Sequence, residues 1–184
     1  LTPYSLAFYI DVVTSGTVLG AKPTDAPDRV TKVLGPDFAE NSSGDHGMWR
    51  DYGMAEFFWD REAPGHPWTG HHFTLQVHRL AQGPGKVVNE TIRARYGRFD
   101  RRLRFEKLQR LLAKRGTPLR EIPEHPVQSS YYCTYWQPDS LTSLTVVAAR
   151  GEYMTPDGLR IGDVLNISAP LTPEEVEWRR SRLC

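Results

Sequence analysis

Two stretches between Met48 and Leu80 alternate apolar and polar side chains with a period of two. A connection rich in Pro and Gly separates them, and few folds accommodate that arrangement. In the first stretch Gly53, Ala55, Phe57 and Trp59 fall on one face. Met54, Glu56, Phe58 and Asp60 fall on the other, which predicts one strand over 48–60. In the second, "HHFTLQVHRL", Phe73, Leu75 and Val77 alternate with His72, Thr74, Gln76 and His78. The linker "REAPGHPWTG" carries two Pro and two Gly, so the strands are expected to pair as an antiparallel hairpin. Phe57, Trp59, Phe73, Leu75 and Val77 then face the core.

The remaining segments fit around that hairpin. "PYSLAFYIDVVTSG" places Leu6, Tyr9, Ile10 and Val13 at helical spacing, with Gly16 as the C′ residue. "APDRVTKVLGPDF" predicts a helix of about two turns, capped by Asp25, with Pro27 in its first turn and Gly35–Pro36 as its stop. Residues 37–47 read as loop. "AQGPGKVVNETIRARYG" fits no single template. "FDRRLRFEKLQRLLAKRG" is the clearest helix. Phe105, Leu108, Leu111 and Leu112 form its buried stripe, Asp100 is its expected cap, and Gly116 and Pro118 end it. "LREIPEHPVQ" is extended or loop, "SSYYCTYWQ" and "SLTSLTVVAARG" are strands, and "EYMTPDGLRIGDVLNIS" is a turn followed by a short strand. In "LTPEEVEWRRSRL", Thr172, Pro173 and Glu175 form a capping box that opens a last helix. Runs of neighbouring strands predict an antiparallel sheet, so the expected fold is α+β, a single domain over 1–184 with three to four flanking helices. "GTVLG" (16–20) and "GLRIG" (158–162) echo each other, but five residues are too few to read as a duplication.

The net charge of +1 conceals a split. Residues 93–120 carry eleven basic and two acidic side chains, while the segments before and after are each net acidic by four. No apolar run approaches the roughly 20 residues of a membrane span, and no basic start leads into a signal-like apolar segment. The chain opens on Leu1 rather than Met, which leaves room for residues upstream. Cys133 and Cys184 are too few for a disulfide framework, and free thiols point to the cytoplasm. The 18 Arg against 5 Lys match the codon usage of a high-GC bacterial genome, which is an association and not a physical argument.

Catalytic patterns are weak. His66, His71, His72 and His78 resemble a metal cluster in composition only. On a regular strand His71 and His72 point to opposite faces, and His72 and His78 lie about 20 Å apart. No G-x-S-x-G or C-x-x-C is present, and Cys133 sits among tyrosines as a strand residue. "GPGK" at 83–86 has Val87 where a phosphate-binding loop needs Ser or Thr. Glu56 lies among large apolar side chains, where an Arg50 or Arg79 partner would hold it ionised. With a nearby His it is the one candidate general acid or base. No metal or cofactor is expected.

The basic block over 93–115 is read as surrounding one helix, either a solvated face balanced by the acidic remainder of the chain or a surface able to grip an acidic protein or nucleic-acid phosphates. Trp49, Tyr52, Trp59, Trp68, Tyr132, Tyr135 and Trp136 exceed what a core needs, and Trp and Arg dominate protein interfaces. The candidate contact residues are Trp68, His72, Gln76, His78, Arg101, Arg104, Lys107 and Arg110.

The string "GTVLG … APDRVTKVLGPDF … RDYGMAEFFWD … HHFTLQVHRL" resembles small bacterial immunity proteins encoded beside polymorphic toxins. The likeness covers roughly residues 10–80 and rests on Gly16, Gly20, Val30, Leu34, Gly35, Tyr52, Gly53, Glu56 and Phe57. It implies a cytoplasmic, non-catalytic α+β protein that binds and neutralises a cognate toxin, with no membrane association. It carries over no binding residues. Nucleic-acid association through the Arg-rich helix is the alternative, followed by a small enzyme built on Glu56.

Overall fold

The computed structural model describes residues 4–125, 131–151 and 155–182. Ser129, Ser130, Cys184 and part of the "EYMTPDG" turn lie outside them. Eight strands form one antiparallel sheet: β1 (Ala39–Ser43), β2 (Gly47–Asp51), β3 (Ala55–Asp60), β4 (Thr69–Leu75), β5 (Arg120–Ile122), β6 (Tyr132–Gln137), β7 (Thr142–Val147) and β8 (Val164–Ala169). Their order is β1-β2-β3-β4-β8-β7-β6-β5. Two sequence-local meanders thus meet where β4 pairs with β8, in the register Phe73↔Ala169, Thr74↔Ser168, Leu75↔Ile167. The helices are α1 (Tyr4–Ser15), α2 (Pro27–Leu34), α3 (Pro84–Val87), α4 (Glu90–Tyr96), α5 (Phe105–Lys114) and α6 (Pro173–Ser181). The α+β class is as expected; the helices are more numerous because the ambiguous 81–97 segment holds two short ones. Among the described residues no helix is long and apolar enough to cross a membrane.

The helices take both faces. Residues of α1, α2, α4 and α5 join Phe57, Trp59, Phe73, Leu75, Leu144 and Ile167 in one core. The pattern of α1 understates its burial: Phe8 and Val12 are as buried as Tyr9, Ile10 and Val13, so the helix runs through the centre of that layer. Phe8 meets Tyr9, Tyr96 and Phe99 edge-on at 5.3–5.5 Å. Tyr135 faces this core and packs tilted against Phe105, so strand alternation turns Trp136 to the opposite face. There Trp136, Ile122 and Val176 of α6 make a second, smaller cluster. Thr172 caps α6 by accepting the Glu175 N–H, one half of the expected box, while the Glu175 carboxylate accepts from Arg179. Gly16 ends α1 at φ 67°, donating to the Val12 carbonyl. A Cβ there would stand 2.5 Å from the Ser140 carbonyl oxygen, so glycine also permits the β6–β7 turn to dock on α1.

Several expectations fail for local reasons. The predicted strand 48–60 is two strands. Gly53 takes φ 94° and donates to the Asp51 carboxylate, and the chain reverses so that Asp51 pairs with Glu56. Residues 37–47 are not all loop, since β1 forms the exposed edge of the sheet. The second hairpin strand stops at Leu75; Val77–Gln82 is a 3-10 helix, though Val77 stays buried. Asp25 does not cap α2: its carboxylate takes the Lys22 N–H, and Ala26 holds the cap position. Nor does Asp100 cap α5. Residues 103–105 run alongside 162–164, with Val164 donating to Leu103 and Phe105 to Gly162. That bridge holds the chain extended until Phe105. Of the seven surplus aromatics, Tyr52, Trp59 and Trp136 are buried and the other four are partly covered.

Candidate functional site

Glu56 is a buried carboxylate among aromatics, an environment that can support acid–base chemistry. Its oxygens accept the Arg79 guanidinium and the Gln76 amide, both at 2.6 Å. Arg79 also donates to Asp51 at 2.9 Å and to the Gly53 carbonyl at 2.6 Å, clamping the β2–β3 turn to the 3-10 helix. Desolvation lowers the Arg79 pKa, but the hydrogen bonds and charges of Glu56 and Asp51 outweigh it, so the net shift is upward. Arg50 takes other partners, Glu40 and Thr31. His78 stands near this network. Burial pushes its pKa down, and its Nδ1 finds no hydrogen-bond partner among the described residues. Neither Glu56 nor any histidine lines the five clefts of about 300–480 Å³.

His71 and His72 depart from strict alternation. The β3–β4 register slips between Phe58 and Trp59, pairing Phe58 with His72 and Trp59 with Gly70. His71 is the extra residue of a β-bulge, and a bulge can put consecutive side chains on one face. Their Nδ1 atoms lie 2.7 Å apart. His72 stacks on Phe58 at 4.1 Å, Phe58 in turn on Trp49, and His71 Nε2 lies 3.4 Å from Asp60. Burial, and then the neighbouring His71, push the His72 pKa down to about 4. No group of three or more potential metal-ligating side chains converges among the described residues.

The other candidate contact residues scatter. Trp68 is half-buried, packs on the main core and lies under the Arg61 guanidinium at 4.2 Å. Gln76 and His78 belong to the Glu56 surroundings. Arg101 and Lys107 are exposed, and Arg110 pairs with Glu106 at 2.9 Å. The basic block does not surround one helix: Arg93 and Arg95 are on α4, Arg98 to Arg104 on the extended link, and the rest on or just beyond α5.

Two members of that block help to build a site. Arg102, Arg104, Arg150, Arg160 and Ile161 line a cleft of about 440 Å³. At its base Asp163 is fully buried. Its carboxylate accepts Arg104 at 2.8 Å and the Arg160 backbone N–H at 2.8 Å, and lies 3.5 Å from Arg102. Arg104 also donates to the Ile161 carbonyl. The side chains of Arg150 and Arg160 have no carboxylate within ion-pair distance among the described residues. Among the described residues one buried acid therefore pairs with two of the cleft's four guanidinium groups. Ile161, 57% exposed, projects among them. The loop is rigidly held: Gly162 donates to Val147 and accepts from Phe105, and Asp163 accepts from Val147. Gly162 sits at φ 83°, and a Cβ there would come within 2.9 Å of the Arg104 guanidinium. The backbone conformation is what favours glycine here; an added Cβ would also nudge the end of the Arg104 side chain.

Sequence reading found Arg104 but missed Arg150, Arg160, Ile161 and Asp163, which lie some 50 residues downstream. The "GLRIG" echo was the available signal: its glycines, at φ 85° and 83°, fold the loop that presents Arg160 and Ile161. Comparison of the chain with protein-family models, with curated proteins and with solved structures finds no match.

Proposed function

We propose that this protein is a non-catalytic binding protein, an immunity protein that neutralises a cognate bacterial toxin, and that it docks through the arginine cleft. The cleft carries the reading. Arginine forms bidentate bonds to carboxylates, keeps its charge when desolvated, and is enriched with apolar anchors at interface centres. Ile161 supplies such an anchor, and a fixed loop spares the entropy of ordering it on binding. The partner's matching surface is acidic. The resemblance of residues 10–80 to immunity proteins supports the same reading, and a cytoplasmic setting goes with it. The exposed Arg93, Arg95, Arg98 and Arg101 favour a second reading, in which the basic surface holds nucleic acid.

A pull-down from lysate and secretome, washed at low salt and at about 0.5 M salt, separates the two, because phosphate-driven binding falls steeply with salt. A stoichiometric protein partner that survives the wash, and is lost in the Arg150→Glu/Arg160→Glu variant, is the expected result. Recovery of nucleic acid alone, and only at low salt, overturns the proposal in favour of the second reading. A partner that binds the double variant equally well overturns the assignment to the cleft.

A further inference from the structure

The geometry points to a second site, unrelated to the cleft: we propose that His71 and His72 chelate a divalent nickel- or copper-type cation through their Nδ1 atoms. The bulge in β4 brings the two nitrogens to 2.7 Å. Imidazole nitrogen binds such metals at about 2.05 Å, so a cation touching both, given the 2.7 Å separation, subtends an angle of about 82°. That is near the roughly 90° between neighbouring ligands in tetragonal coordination, and far from the roughly 109° of a tetrahedral zinc site. The bite therefore selects Ni2+ or Cu2+ over Zn2+.

The surroundings fit the role. A metal on both Nδ1 atoms needs both rings in the Nε2–H tautomer. His71 Nε2 then lies 3.4 Å from Asp60 Oδ2, close enough for an ion-pair contact. A carboxylate on the far nitrogen of a ligating histidine fixes its tautomer and orientation. Stacking on Phe58 at 4.1 Å holds the His72 ring. The metal replaces the proton shared between the two Nδ1 atoms, which moves to a ring Nε2, and no redox step is involved. Water completes the coordination, since two protein ligands leave the outer positions open. This is a surface chelate of modest affinity, not a structural cage.

The test is calorimetric titration of the untagged full chain with Ni2+ and, separately, with Zn2+. One Ni2+ per chain is expected, bound more tightly than Zn2+. His71→Ala, at a 40% exposed side chain, should keep its circular dichroism and lose Ni2+ affinity by at least about tenfold. Asp60→Asn should weaken binding by about tenfold without abolishing it, and His66→Ala, at an exposed turn, should leave it unchanged. Absence of saturable Ni2+ binding, an unaltered affinity in His71→Ala, or a preference for Zn2+ would each overturn the proposal.

Discussion

Asp163→Asn replaces the buried acid of the arginine cleft without changing its shape, so any effect comes from charge and donor–acceptor logic. Asp163 Oδ1 accepts Arg104 and Oδ2 accepts the Arg160 N–H. An asparagine has one acceptor oxygen and one NH2 group, so one of those donors must face another donor. The cheaper orientation keeps the oxygen on the Arg160 N–H, which is backbone, and turns the NH2 towards Arg104. That loses one charge-assisted hydrogen bond, worth about 1.5–3 kcal/mol, and the attraction of Arg102. Arg104 and Arg102 are 48% and 31% exposed, so water recovers part of their solvation and the full cost of a broken buried pair is not reached. The expected loss is about 2–3 kcal/mol. For a chain of this size that lowers the melting temperature by about 5–10 °C. Urea denaturation with an unchanged slope, together with calorimetry, measures it. A loss below about 0.5 kcal/mol would refute the argument that Asp163 holds the cleft together.

Glu124 is predicted to work against the fold. Burial is the main cause of its raised pKa, Glu121 adds to it and the Arg179 charge offsets only part; no hydrogen bond of good geometry reaches either carboxylate oxygen among the described residues. A raised carboxyl favours the folded state when protonated, and that advantage fades as pH climbs from about 4 through the folded value. Glu124→Gln should match the parent below about pH 4 and exceed it in stability at neutral pH, as melting curves across that range would show. Gly53→Ala should cost about 2 kcal/mol or more: φ is 94° and the new Cβ would collide with the Val87 carbonyl. Gly44→Ala, at φ 63° in open space, should cost only the backbone share of about 1 kcal/mol. Equal melting temperatures for the two variants would show that the Val87 contact does not matter.

Legibility followed the range of the forces involved. Alternation alone turned Phe57, Trp59, Phe73 and Leu75 inward, because burial on one face of a strand leaves a period of two in the residues. The Thr172 cap was readable since all its partners lie within four residues. Boundaries failed wherever a distant backbone intervened: Leu103 and Arg104 carry helix-forming side chains, yet the bridge to 162–164 keeps them out of the helix. His71 and His72 were misjudged because a bulge leaves no mark in a two-residue pattern. Asp163 was invisible as a site residue for the same reason that it matters: its partners at 102 and 104 are brought to it by the fold alone.

The meeting of β4 and β8 also sets an order of events. Each meander closes short hairpins and can zip up locally, whereas Thr74 and Ser168, which join the halves, are 94 residues apart in sequence. Closing such a loop costs about 4 kcal/mol in chain entropy, so the seam should form late and on top of two preassembled halves. The exposed Asp100–Arg101 bond lies between them. A nick there would leave four strands on either fragment, making this sheet a natural two-piece reporter whose reassembly reads out the encounter of its halves.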